Sequence, residues 1–232
     1  MGNPSPMAIR KIATIGHPVL RQIARPVTPQ ELQTPAFQQL IDDLIETMRD
    51  ANGAGLAAPQ IHEPVSLCAL EVNNNPRYPY KPAIPLTVLV NPVVTATTEE
   101  TFDNYEGCLS VPNLRGLVPR FTRVHVTALD RQGTPLDFEV RGLTAGTYQH
   151  EVDHLLGKVF LDRVQDTTSL ATWTDFERFH RDAFVERARA LVARFGSLLT
   201  LLRGGTETGE SRRTSCHTAR HEGATGDARG TS

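Results

Sequence analysis

Gln149-His-Glu-Val-Asp-His154 sets two histidines four residues apart with a glutamate beside the first. On an α-helix, side chains four apart share a face with Cβ atoms about 5–6 Å apart, so both imidazoles can reach one metal ion. Glu151 then stands beside that ion, where a carboxylate can take up and return a proton, the pattern of a metal-dependent hydrolase. The helix is expected over about Thr144 to Leu156, with Gly157 as its C-terminal cap.

Moving outward, the segments on the N-terminal side of this helix read as strands: Val65–Val72, Leu86–Val90, Val93–Thr98, Arg123–Leu129 and Leu136–Val140, divided by Asn, Gly and Pro turns. A first helix is expected from Pro35 to Arg49. Thr34 can cap it, Pro35 is tolerated at its first position, and Phe37, Leu40, Ile41, Leu44, Ile45 and Met48 make one apolar stripe. Asn52 to Gln60 reads as a glycine-rich turn, and the prolines from Pro76 to Pro85 mark an extended loop. Thr174-Asp-Phe-Glu177 resembles a capping box opening a last helix, about residues 175–202, with apolar positions at Phe176, Phe179, Ala183, Leu191 and Phe195. The order predicts an α+β fold: antiparallel strands enclosing a central metal-binding helix, with a C-terminal helix. One catalytic domain spans 1–203, its core about 12–165. Residues 204–232 are nearly devoid of apolar side chains and are expected to be disordered.

Composition narrows the function. A net charge of −2 over 232 residues argues against a nucleic-acid wrapper. Cys68, Cys108 and Cys216 are too few, and odd in number, for a disulfide framework; such a set suits a reducing compartment. No apolar run reaches membrane-spanning length. The first thirty residues carry four basic groups and no acid but a single serine, a poor transit peptide, and the chain is expected to be cytoplasmic without a membrane partner.

Two histidines leave a third ligand to find, since a catalytic metal commonly takes three protein ligands and keeps one position open. Glu177 lies 23 residues beyond His154, a spacing that suits a His-Glu-x-x-His endopeptidase. Cys108, in Glu106-Gly-Cys-Leu-Ser110, is the other candidate, read here as lying in a glycine-adjacent turn. A thiolate with two imidazoles suits Zn²⁺ or Fe²⁺ rather than Mg²⁺ or Ca²⁺. By itself a free cysteine is commonly a small buried hydrophobe. Gly53-Ala-Gly-Leu-Ala-Ala-Pro-Gln60 offers close backbone approach and an amide donor in Gln60, or merely a helix stop and a turn.

Taken together and in order, Gly-Ala-Gly-Leu-Ala-Ala-Pro-Gln60, Glu-Gly-Cys-Leu-Ser110 and Gln-His-Glu-Val-Asp-His154 resemble the peptide deformylase family. His17-Pro-Val-Leu-Arg21, Ser110-Val-Pro-Asn-Leu-Arg-Gly-Leu-Val-Pro-Arg120 and Leu155-Leu-Gly-Lys-Val-Phe-Leu-Asp162 extend the likeness over roughly residues 12 to 165. The resemblance implies removal of the formyl group from N-terminal formylmethionine of new polypeptides, releasing formate. It implies one divalent ion, Fe²⁺ with Zn²⁺, Ni²⁺ or Co²⁺ as alternatives, held by Cys108, His150 and His154. Glu151 is then general base and acid, Gln60 and the backbone N–H of Leu109 donate to the oxyanion, and Gly55, Gly107 and Arg115 line or orient the substrate. The partners implied are nascent formylated polypeptides, with ribosome contact through the C-terminal helix.

The chain departs from the family pattern at Ala54, usually Ile or Val, at Asn104-Tyr105, where many relatives carry a Trp-containing pair, and at Gly146-Thr147, smaller than usual. These departures predict a looser hold on a methionine side chain. Asp153 reads as a structural partner, to Arg120. His17, His62, His125 and His180 read as surface or core residues, and His217 and His221 near Cys216 as at most an adventitious metal site.

Overall fold

A computed structural model describes residues 8–73, 75 and 78–196. The expectations for 204–232, for Cys216, His217 and His221, and for the end of the last helix lie outside the described residues.

Helix α1 is a single turn, Pro29–Leu32, and α2 runs from Pro35 to Asp50. Thr34 Oγ1 accepts the Phe37 N–H, the predicted cap. The stripe faces inward: Phe37, Ile41, Leu44, Ile45 and Met48 are buried and Leu40 packs at the margin. Five strands form one antiparallel sheet in the order β1 (Gly55–Ala57), β2 (Leu67–Val72), β3 (Ile84–Ala96), β6 (Arg123–Leu129) and β7 (Pro135–Arg141). A smaller sheet holds β4 (Thr101–Cys108), β5 (Val111–Phe121) and β8 (Ala171–Thr172). Helix α3, Gly142–Leu155, carries the two histidines, and 12 of its 14 residues are buried. Tyr148, Ala145 and Leu155 pack with residues of β2, β3, β6 and β7, so this helix fills the space that the strands enclose. Gly157 follows it at φ +69°, where a Cβ would lie 2.7 Å from the Arg21 carbonyl oxygen, so glycine is required there.

Several sequence expectations need correction. The glycine-rich segment is not a plain turn: it contains β1 and a 3₁₀ turn, Ala58–Ile61. The two strands expected at 86–90 and 93–98 are one strand with a bulge. Asn91 adopts φ +52° there, and its side chain exchanges two 2.8 Å hydrogen bonds with the backbone of Val27. The β4–β5 hairpin was not foreseen, and Cys108 ends a strand rather than sitting inside a turn. Pro112 and Pro119 hid β5. They are tolerated because β8 covers only Leu114 and Arg115 on its far side, which leaves the rest of β5 an edge.

The last helix starts otherwise than predicted. Thr172, not Thr174, caps it by accepting the Asp175 N–H at 3.2 Å. Helix α4 (Trp173–Asp175), a π-turn (Phe176–His180) and α5 (Arg181–Phe195) follow in succession. The π-turn shifts the buried face to Phe176, Phe184, Val185 and Ala188, while Phe179 and Ala183 are exposed. None of the described helices is long and apolar enough to cross a membrane.

Candidate active site

Each motif arrives by a different element. Gly55 lies on β1 and Gln60 on the 3₁₀ turn behind it. Gly107 and Cys108 end β4, Leu109 occupies the tight turn into β5, and α3 supplies His150, Glu151 and His154. The ligand atoms of Cys108, His150 and His154 lie within 4.8 Å of one another, the group among the described residues suited to hold a metal. The Cys108 Sγ is 3.3 Å from His154 Nε2, and the two imidazole centres are 5.1 Å apart. Three ligands of S, N, N chemistry fit Zn²⁺ or Fe²⁺ and leave one position for a reactant. Glu177 is no part of this cluster. It is exposed and pairs with Arg181 at 3.2 Å, so the endopeptidase reading loses its third ligand.

Neighbouring charges prepare the ligands. His150 Nδ1 bonds to Glu106 Oε2 at 2.8 Å, which leaves Nε2 to face an ion. Glu106 is held in turn by Arg120, at 2.8 and 2.9 Å, and Arg120 reaches Asp153 at 2.6 Å, the pairing the sequence suggested. Burial opposes ionisation of Glu106, but the Arg120 charge and hydrogen bonds outweigh it and hold the carboxyl far below its ordinary range. Burial also opposes a Cys108 thiolate. The His154 charge and hydrogen bonds from both imidazoles overcome it, so the thiol ionises well below its usual pKa, as a metal ligand must. Burial would lower the His150 pKa, yet Cys108 and Glu106 raise it well above the usual value.

Glu151 is 4% exposed and its Oε2 has no hydrogen-bond partner. Burial pushes its pKa up, and the two imidazoles offset that only in part. Gly55 is the reason it fits: a Cβ on Gly55 would lie 2.5 Å from Glu151 Cδ. Gln60 is locked by its own backbone. Its Oε1 accepts the Ala57 N–H at 2.8 Å, which turns Nε2 toward Ser110 Oγ at 3.1 Å and the Cys108 sulfur at 3.5 Å.

Gly55, Gln60, Glu106, Cys108, His150 and Glu151 line one cleft, together with Gly107, Leu109, Ala54, Asn104, Gly146 and Thr147. Arg115 does not reach its wall. It is 1% exposed beneath Gly107, its guanidinium set against the rings of both Trp173 and Phe176 at 4.3 Å each. Sequence reasoning passed over Glu106, whose carboxylate two residues before a ligand cysteine was the available signal. It also passed over Lys81, Tyr78 and Tyr80, which line the cleft from the β2–β3 connection and carry no pattern in the chain.

The polypeptide deformylase family model matches residues 9–169. Peptide deformylase 2 of Pseudomonas putida is 46% identical over 158 residues, 68% of this chain and 89% of that protein. Peptide deformylase 1 of Bordetella pertussis is 44% identical over 160 residues, 69% and 90% of the two chains. Among solved structures, the Met-Ala-Ser-bound class I type b peptide deformylase from Acinetobacter baumannii aligns with a TM-score of 0.66 at 38% identity, covering 68% of this chain and 99% of that one. A peptide deformylase from Legionella pneumophila aligns with a TM-score of 0.60 at 35% identity, over 81% and 99%.

Proposed function

The chain belongs to the polypeptide deformylase family, metal-dependent hydrolases that remove the formyl group from N-terminal methionine of new polypeptides, and from that premise we propose which of its residues carry the reaction. The observation that supports the assignment best is the convergence of Cys108, His150 and His154 beside a buried, partnerless Glu151 oxygen. Those three ligands would hold a divalent ion, Fe²⁺ in our reading with Zn²⁺, Ni²⁺ or Co²⁺ as substitutes, which would supply Lewis acidity and make water nucleophilic near neutral pH. Glu151 accepts the proton that water loses as it adds to the formyl carbon. Gln60 Nε2 and the Leu109 N–H donate to the formyl oxygen as its charge grows, each worth about 3–4 kcal/mol in the transition state. Glu151 then delivers the proton to the amine nitrogen as the C–N bond breaks, leaving formate and a free N-terminus. Gly55 and Gly107 let the substrate backbone approach, and Arg115 supports Gly107 from below.

The test pairs metal analysis with formate release from formyl-Met-Ala-Ser. Glu151→Ala is expected to keep its metal and lose about 10²–10⁴-fold in turnover. Cys108→Ala is expected to lose metal. Near-normal formate release by Glu151→Ala would sink the assignment.

We propose one catalytic domain reaching through α5, since Phe176 and Phe184 pack with Tyr105 and Leu143, and a cytoplasmic location where new chains emerge. Ribosome contact through the C-terminal helix is supported by exposed Arg178 of the π-turn and exposed Arg187 and Arg189 of α5, none with an ion-pair partner among the described residues. RNA phosphate would attract such a face. Truncation at Thr168 would remove Phe176 and Phe184, so charge reversal of the three arginines is the cleaner test. Co-sedimentation with ribosomes should fall steeply while formyl-Met-Ala-Ser turnover persists; undiminished co-sedimentation refutes docking.

A further inference from the structure

Lys81 is one of only three lysines in the chain, and it lines the catalytic cleft. Its Nζ donates to Thr147 Oγ1 at 3.0 Å and lies 4.8 Å from the centre of the Tyr78 ring. An ammonium has three donors, and Thr147 is the single acceptor that Nζ meets among the described residues. Thr147 sits one turn before His150 and Glu151 on α3, so Lys81 is fixed to the same helix face as the reacting groups. The charged groups around it are Glu106, Glu151 and Arg115. Glu106 is already engaged by Arg120 and His150. Glu151 is reserved for proton transfer.

The wall around it mixes small and aromatic groups. Ala54, Asn104, Gly146 and Thr147 line it beside Tyr78, Tyr80 and Tyr105, and Leu109 is its one long aliphatic side chain. A thioether can pack on those rings, but Lys81 also offers a charged donor with capacity to spare. Desolvating that donor under an apolar side chain leaves it short of acceptors, so the wall favours a ligand that brings one.

Resting on the deformylase reading, we propose that Lys81 is a specificity-determining residue whose ammonium receives an oxygen acceptor at the end of the substrate's first side chain, fitting formyl-peptides that begin with methionine sulfoxide or glutamate. Both are unbranched as far as the δ atom and carry an oxygen on it, at the distance along the chain of methionine's terminal methyl. Oxidation of methionine's sulfur produces the first from a formylmethionine chain. Burial draws the Lys81 pKa down to about 8, with Glu106 and Glu151 resisting the fall, so the side chain is still mainly cationic at pH 7 and gains from an acceptor.

The experiment measures kcat and KM of the metal-loaded full chain on formyl-Met-Ala-Ser, formyl-Met(sulfoxide)-Ala-Ser and formyl-Glu-Ala-Ser, for wild type and Lys81→Met. Wild type is expected to accept at least one oxygen-bearing substrate within about tenfold of methionine, the order of one net hydrogen bond. Lys81→Met should lower that ratio at least tenfold, mainly through KM, as its kcat/KM on formyl-Met-Ala-Ser rises. A fall in both arms identifies an acceptor as such; a fall in the glutamate arm alone identifies the charge. Calorimetric binding of the product peptides Met(sulfoxide)-Ala-Ser and Met-Ala-Ser should show the same ratio without turnover, and Lys81→Gln replaces Lys81→Met if the latter does not fold. Ratios within twofold of wild type in both arms overturn the proposal. Wild-type protein that turns over none of the three substrates would instead count against the deformylase reading.

Discussion

At the scale of single residues, Gly55 and Glu151 compete for one volume. A side chain at position 55 would meet Glu151 Cδ at 2.5 Å and Cγ at 2.7 Å. Glu151 is buried, but its end is flexible, so the conflict resolves by displacing the carboxylate rather than by unfolding the chain. Gly55→Ala is therefore expected to bind metal normally, as the ligands are untouched. Its kcat should drop by about 10²-fold, the typical cost of misplacing a reacting group by an ångström. Metal content by elemental analysis and kcat by formate release check the two halves; unimpaired kcat would show that Glu151 has room the structure does not give it. Ala54, beside it, and Gly146 differ in what they leave open. A Cβ on Gly146 would meet Phe102 and Asn104 at 3.1 and 3.2 Å, so its absent side chain is already partly replaced.

At the scale of elements, the buried ion cluster fastens β4, β5 and α3 to one another. Arg120 of β5 joins Glu106 of β4 to Asp153 of α3, and Arg163 takes the other side of Asp153 at 2.6 Å. Arg120, Glu106 and Asp153 side chains are all 5% exposed or less, which makes the broken arrangement costly. Arg120→Met should destabilise the fold by about 3–5 kcal/mol, since it takes the shared cation from two buried carboxylates and leaves Glu106 only His150 and Asn104. Urea unfolding followed by circular dichroism measures this, and a loss under about 1 kcal/mol would mean the cluster is not what joins these elements. The C-terminal helix makes a second such joint. Phe184 is 2% exposed, with its ring centre 5.3 Å from that of Tyr80 and 6.1 Å from those of Tyr105 and Phe176. Phe184→Ala should cost about 3–5 kcal/mol in the same measurement.

Across the whole molecule, the N-terminal segment is tied to α2 through Asp43. The carboxylate accepts from the Ala8 N–H at 2.9 Å, from Arg10 Nη1 at 3.2 Å and from Gln39 Nε2 at 2.9 Å. Burial would raise its pKa, but these hydrogen bonds and the Arg10 charge outweigh burial and depress it. A depressed carboxylate stabilises the folded state fully above its unfolded pKa, about 4, and that contribution disappears as pH falls through the folded value. Asp43→Asn is therefore expected to lower stability at pH 7 by about 1–3 kcal/mol. The gap to wild type should close as the pH is taken below about 4. Thermal midpoints of both proteins across pH 3 to 7, roughly spanning the ordinary carboxylate range, provide the check. A constant gap would mean that shape rather than charge holds the segment.

What the sequence by itself determined was local and periodic. His150, Glu151 and His154 share a face because the helix repeats every 3.6 residues, and the stripe and Thr34 cap of α2 follow from the same period. The regular strands β6 and β7 were legible because one face of each is buried, which writes an alternation into the chain. Strand β5 was not, because its prolines are permitted only by the edge that the short β8 leaves uncovered. The start of the last helix misled for a comparable reason, since the π-turn that re-aims Phe184 depends on packing against Tyr80 and Tyr105. The metal ligands were legible as motifs. Glu106 behind His150, Arg115 beneath Gly107 and Lys81 against Thr147 were decided by tertiary structure alone, because each joins residues from separate elements and no local repeat in the chain records the meeting.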